Sequence, residues 1–248
     1  MVERHIDIVS KLLSMSPRIT VALQEVSGVM FDEEIARFSE IIQHMFEDTQ
    51  KTDIALNRII VYTEFNCIFK TLDTRKAFFL LFKKGLLPQA FSLNRMLFEQ
   101  WASACFVERT VRDFVGSRDK TKLEKRANEL FSGARYPVKL PWGEPSKEKP
   151  IHINDMLKEL ERVYPKAQDS YSFLCEFAHP NLLLSLNAYL CSIVRARAWE
   201  NPIFAKDFIE VLDKQVSCLS KAIRGIKTST YKISNLCARE YGLVFKHR

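Results

Sequence analysis

Glycine and proline are scarce in this chain, seven and nine of 248 residues. Sandwiches and barrels need many tight turns built on those residues, so the scarcity excludes them and favours helices. Glycine-rich phosphate loops, the G-x-S-x-G nucleophile elbow and a Cys-His signature are all missing. The aromatic motif of sheet-type RNA-binding domains is missing too. None of the six cysteines, Cys67, Cys105, Cys175, Cys191, Cys218 and Cys237, forms a C-x-x-C pair. Each stands among apolar neighbours, which marks a reduced core residue of a cytosolic protein. The start, MVERHIDIVSKLL, carries Glu3 and Asp7 where a secretory signal would be basic and then apolar, so a cytoplasmic location is expected. The longest apolar run, NLLLSLNAYLCSIV from Asn181, has fourteen residues including Asn and Ser. A membrane span needs about 20, so this is a buried helix and no membrane partner is expected.

What is present is apolar periodicity. Hydrophobic residues make up 47% of the chain, enough for a sizeable core, and one domain over 1–248 is the simplest organisation. Asp32, Glu33 and Glu34 open a helix whose apolar stripe is Ile35, Phe38, Ile41, Ile42 and Met45. The stretch IALNRIIVYTEFNCIFKTL from Ile54 is apolar almost all round and is expected to be central. Gly85 stops one helix and Pro88 starts the next, an αα-hairpin. VRDFVGSRDKTKLEKRANELF is charged and mildly amphipathic, so it is expected to project to solvent. Ser132 to Pro150 holds four prolines and two glycines, a long loop for which Trp142 is the natural anchor. Asn201-Pro202 caps a last long helix, with Phe204, Phe208, Val211, Leu212, Leu219, Ile223 and Ile226 on its buried face. The pattern predicts an all-α bundle of about eight helices with one long loop at 132–150.

Two narrow polar stripes interrupt otherwise apolar helices. In LPQAFSLNRMLFEQWASACFV, Ser92, Arg95, Glu99 and Ser103 recur at helical spacing. In YSFLCEFAHPN, Ser172, Cys175, Glu176 and His179 do the same. Pro180 disfavours helix at His179 and can open the next helix, which sets the histidine beside free backbone N–H groups. Unpaired buried charge is costly, so the stripes should face each other or a cavity, with Arg95 paired to Glu176 and Glu99 to His179. Two outcomes follow: a closed network that fixes helix register, or a cleft holding an acid, a base and an arginine. Glu176 and His179 also form E-x-x-H, a half-site of di-iron bundles, but no other histidine has a glutamate three residues earlier. No metal site and no cofactor are therefore expected.

From 221 to 248 there are seven Lys or Arg against the single acid Glu240, a surplus close to the net +7 of the whole chain. Such a basic helix or tail, with Tyr231, Tyr241 and Phe245 interleaved, suits a solvated helix end with packing aromatics. It also suits contact with nucleic acid.

Taken together, the R-x-x-x-E helix and the later Tyr…His-Pro element resemble a prokaryotic all-helical family of unknown function. In it an arginine and a glutamate (here Arg95 and Glu99) precede Y-x-x-L-[SC]-x-x-x-H-P (here Tyr171 to Pro180). The likeness covers about 80–197. That family looks related to HEPN-like bundles, which implies RNA cleavage, nucleotide binding or defence against phage. Arg37 and His44 show the R-x6-H spacing of HEPN ribonucleases. There Phe38 stands where that class has a polar residue, and the pair lies early in the chain, so His44 is read as a surface or boundary residue. Two functions follow as expectations. One is a nucleotide- or nucleic-acid-binding protein, ribonuclease-like, in which Arg95 holds a phosphate, His179 acts as acid or base and Glu99 or Glu176 orients it. Tyr171, Ser172 and Asn181 are its expected ligand contacts. The other is a non-catalytic regulatory or immunity-like module that binds a protein partner. A homodimer is compatible with either.

Overall fold

The computed structural model describes residues 14, 16–47, 53–132, 149, 151–178 and 202–245. Among them every regular element is helical: α1 (Pro17–Ser27), α2 (Asp32–Glu47), α3 (Ile54–Tyr62), a π-helix (Thr63–Phe69), α4 (Lys70–Lys83), α5 (Leu87–Ser117), α6 (Lys120–Ser132), α7 (Ile153–Glu161), α8 (Ala167–Ala178) and α9 (Pro202–Glu240). Because α3, the π-helix and α4 run on without a break, the described residues form eight continuous helices, close to the expected number. Nearly all of the 132–150 loop, with Trp142, lies outside the described residues, as do the apolar helix from Asn181, Cys191 and the side chain of Phe204.

Local chemistry sets the boundaries. Gly85 has φ 70°, and Leu86 N–H donates to Leu81 C=O at 2.9 Å while Gly85 N–H donates to Phe82 C=O at 2.9 Å. This is the Schellman termination that glycine allows, and Pro88 then sits in the first turn of α5. The end of α9 repeats it at Gly242, φ 69°, with Leu243 N–H on Ala238 C=O at 2.8 Å. Asp53 caps α3, accepting from the N–H groups of Ala55 and Leu56. His152 caps α7 through Nδ1, which accepts from Asn154 N–H at 3.2 Å. α5 runs through the whole of VRDFVGS before it stops. There Arg118 takes a left-handed φ of 59°, and Asp119 Oδ1 accepts from Lys122 N–H to start α6.

The chain divides into two compact units, each assembled from three stretches. The first comprises Met1–Val29, Thr71–Phe98 and Lys166–Arg224. Its core includes Ile19, Leu23, Phe78, Phe91, Leu174, Phe177, Leu212 and Leu219. Within it Asn94 Nδ2 donates to both Gln215 C=O at 3.1 Å and Gln215 Oε1 at 2.7 Å, a buried amide pair between α5 and α9. The second comprises Met30–Lys70, Glu99–Pro165 and Gly225–Arg248. Here α3 packs against α6 and α2, and the core includes Phe38, Ile41, Ile59, Ile60, Val107, Leu123, Leu160 and Ile226.

The helix from Ile54 is not buried all round, because Ile54, Phe65 and Phe69 are exposed. Its buried residues form two rows, Ala55, Ile59, Thr63, Cys67 and Leu56, Ile60, Glu64, Ile68, each repeating every four residues. An α-helix turns about 100° per residue, so such a row drifts by about 40° per step. The wider π turn absorbs that drift and keeps both rows facing the core. The segment expected to project to solvent is likewise anchored, since Leu123 and Ala127 of α6 are buried. Charge density along the sequence hid two apolar residues one turn apart.

Candidate functional site

The first polar stripe divides between the two units. In the first, Ser92 Oγ is 3.0 Å from Pro88 C=O and 3.0 Å from Phe177 C=O, tying α5 to α8. Arg95 lies over the ring of Tyr171, its guanidinium carbon 5.6 Å from the centroid. Ser172 and Glu176 are exposed and Cys175 is half-buried. So α5 and α8 meet through Ser92, Arg95, Tyr171 and Phe177, with Glu176 turned outward. Glu99 is half-buried in the second unit, where Ser103 Oγ is 2.9 Å from Tyr62 Oη and also hydrogen-bonds Cys67. Burial pushes Tyr62 and Cys67 each up to about 12, so both are neutral packing partners. His179, Pro180 and Asn181 lie outside the described residues. Among the described residues no group of His, Cys, Asp and Glu is placed to hold a metal ion. No helix among them is long and apolar enough to cross a membrane.

Most of the basic C-terminal stretch is committed to intrachain contacts. Arg224 pairs with Glu25, Lys227 Nζ donates to Met30 C=O at 2.7 Å, and Lys232 reaches Glu108 at 3.5 Å. Its aromatics pack as well. Arg37 is buried, its guanidinium 4.5 Å from the Tyr231 centroid and 4.8 Å from that of Phe245, and it donates to Glu33 and Asn235. Tyr241 donates to Asn57 and meets His44 edge-on, the two ring centroids 6.1 Å apart. Every donor direction of Arg37 that the contacts define is thus taken up, and His44 is a half-buried boundary residue. Beside Arg37, both carboxylate oxygens of Glu34 are buried without a hydrogen bond, and burial raises its pKa above the ordinary value.

A cleft of about 150 Å3 opens in the second unit where α5, α6 and α7 meet. It is lined by Arg109, Lys122, Arg126 and Arg162, with Phe106, Phe114 and Leu123 as apolar floor. Each cation pairs with an acid: Arg109 with Asp113 at 2.9 Å, Lys122 with the same Asp113 at 3.2 Å, Arg126 with Glu129 at 2.7 Å and Arg162 with Glu159 at 3.0 Å. The pairs are layered. The cation side chains are 39–59% exposed and their acids only 13–28%, so the positive ends form the outer shell. Asp113 serves two cations, which leaves local positive charge in excess. An anion entering the cleft meets guanidinium groups first, and guanidinium matches phosphate in planar two-point geometry.

Sequence reasoning passed over this cleft because its residues are spread over more than fifty positions and look like ordinary solvated i,i+3 and i,i+4 pairs. The signal that could have found it is the K/R-rich run from Arg118 to Arg126 ahead of the Glu159–Arg162 pair. Comparison with known protein families, characterised proteins and solved structures finds no match to this chain.

Proposed function

We propose that this protein binds a phosphate-bearing ligand, a nucleotide or a nucleic acid, in the cleft of α5, α6 and α7. The observation that carries the proposal is the layering, with four cations outermost and their acids beneath them. Coulombic attraction to phosphate then competes only with partly screened partners. The basic balance of the chain, +7 with a pI near 9.1, favours the same class of ligand. The test is titration of a labelled oligonucleotide and of a nucleoside triphosphate at low salt. Arg109→Gln combined with Arg162→Gln should weaken binding by about tenfold, in line with loss of two charge-assisted contacts, while the melting temperature holds because Asp113 keeps Lys122. Unchanged affinity in that variant would overturn the assignment.

The wider proposal is a cytosolic, prokaryotic, ribonuclease-like component in which His179 acts as acid or base near Arg95. Its test is His179→Ala, expected to abolish RNA cleavage with little change in melting temperature. A second reading, a protein-binding module, is favoured by the exposed rings of Phe65 and Phe69, 5.8 Å apart on the π-helix. Phe65→Ser would abolish partner capture under that reading and leave oligonucleotide binding intact.

A further inference from the structure

A second cleft, of about 200 Å3, lies in the same unit. Asp53, Leu56, Phe114, Arg118, Lys120, Glu240 and Tyr241 line it. Phe114 borders both clefts, and the residues of the α5–α6 turn alternate between them: Ser117 and Asp119 on the first, Arg118 and Lys120 on the second. The left-handed backbone at Arg118 occurs at this ridge, the one described non-glycine residue with positive φ. Such a conformation costs about 1 kcal/mol or more without glycine and marks positions where a side chain's placement matters.

The second cleft repeats the layering of the first. Arg118 pairs with Glu240, and Lys120 approaches Asp53 at 3.8 Å. The cations are 62% and 78% exposed and the acids 12% and 21%. Across both clefts, all six cations stand outside the acids they pair with. That order is not general in this chain: in the Arg37–Glu33 pair the arginine is the buried member, 6% against 56%.

We propose that the two clefts form one track for a single-stranded nucleic acid, its backbone crossing the α5–α6 turn with Arg118 and Lys120 on one side and Arg109, Lys122, Arg126 and Arg162 on the other. This rests on the phosphate-binding function proposed above and adds the class of ligand. Each cleft is too small for a duplex, whereas a flexible strand can place successive phosphates on either side of a ridge. Two small cation-rimmed sites sharing one aromatic floor suit a strand better than a mononucleotide, which would fill one site and leave the other unused. An acidic peptide offers carboxylates but no planar bases.

The experiment measures binding of the full chain to oligo(dT) and oligo(U) of about 4 and about 15 nucleotides, the range of single-strand site sizes. Uridine monophosphate and polyglutamate serve as comparison ligands. The longer strand of either sugar should bind at least about tenfold more tightly than the shorter, by effective concentration at the second cleft. Arg118→Gln with Lys120→Gln should erase that gain, leave monophosphate binding unchanged and reduce the slope of log K against log salt by about 1.4, two phosphates at about 0.7 each. Lys120→Gln alone, at the most exposed cation, should remove about half of that slope change without disturbing the fold. Affinity independent of length, or an Arg118/Lys120 variant that binds the long strand like the parent, overturns the track and leaves a single-cleft phosphate site standing. Equal binding of polyglutamate overturns the nucleic-acid assignment. If neither the long strand nor the monophosphate binds, the underlying function falls with it.

Discussion

Glu34 occupies the third position of α2, where a carboxylate normally reaches back to the helix start. Here both its oxygens are buried and unbonded, and desolvation outweighs the favourable charges of Lys227 and Arg37. Its folded pKa is raised above the unfolded one, so the folded state holds the proton more tightly. The associated stability is present below the ordinary carboxylate pKa and is lost as pH rises through the raised value. Glu34→Gln should therefore stabilise the protein at neutral pH by about 1 kcal/mol or more, and the gain should vanish in acid, where the parent is also neutral. Urea unfolding at both pH values checks this, and a gain that persists in acid would contradict it. The acidic start Asp32-Glu33-Glu34 was legible as a helix N-terminus. That the third acid and Arg37 turn inward with Phe38, Ile41 and Met45 was not, because apolar periodicity ignores charges that lie on the same face.

Among the helices, the boundaries written in backbone chemistry were the legible ones. Gly85, Pro88 and Pro202 stand where a left-handed φ or a missing N–H requires them. The close approach inside α9 was not legible, because glycine in a helix looks like a weak point. At Gly225 a Cβ would lie 2.1 Å from Trp101 Cε2, and Trp101 is stacked on Tyr164 with centroids 5.5 Å apart. In an exposed helix Gly→Ala would gain about 1 kcal/mol. Here the indole cannot retreat, so Gly225→Ala should instead destabilise by about 2 kcal/mol, read as a lower urea midpoint. Trp101→Phe in the same chain should recover part of that loss, since the two side chains share one space. The candidate stripes show the same division. The sequence spacing placed Ser92, Arg95 and Ser103 on one face of α5, but their partners are a backbone carbonyl, a tyrosine ring and a tyrosine hydroxyl, none of which charge pairing could indicate.

At the scale of the molecule, cysteine usage and helix content were legible, whereas the distribution of charge was only half so. The basic C-terminal stretch looked like the ligand-facing feature. It is instead largely engaged with Glu25, Met30 and Glu108, and the outward cations come from the middle of the chain. Burial raises the pKa of Cys67 and Cys105 to about 12 and pushes up Cys218 and Cys237 as well. With Cys175 and Cys191 replaced by serine, those four thiols should resist a thiol reagent at neutral pH and react only through the unfolding transition. Rapid labelling of any of them in native buffer would contradict their placement. The π-helix has a consequence that runs the length of the chain. It acts as a phase adjuster, since deleting one residue from 63–69 would let a regular α-helix form while rotating everything after it by about 100°. Thr71, Thr74, Phe78 and Phe82, now buried, would swing away from their core. Length changes in this segment are therefore tolerable only in compensating pairs, and any relative of this chain that lacks the π turn should carry a shifted apolar pattern from residue 70 onward.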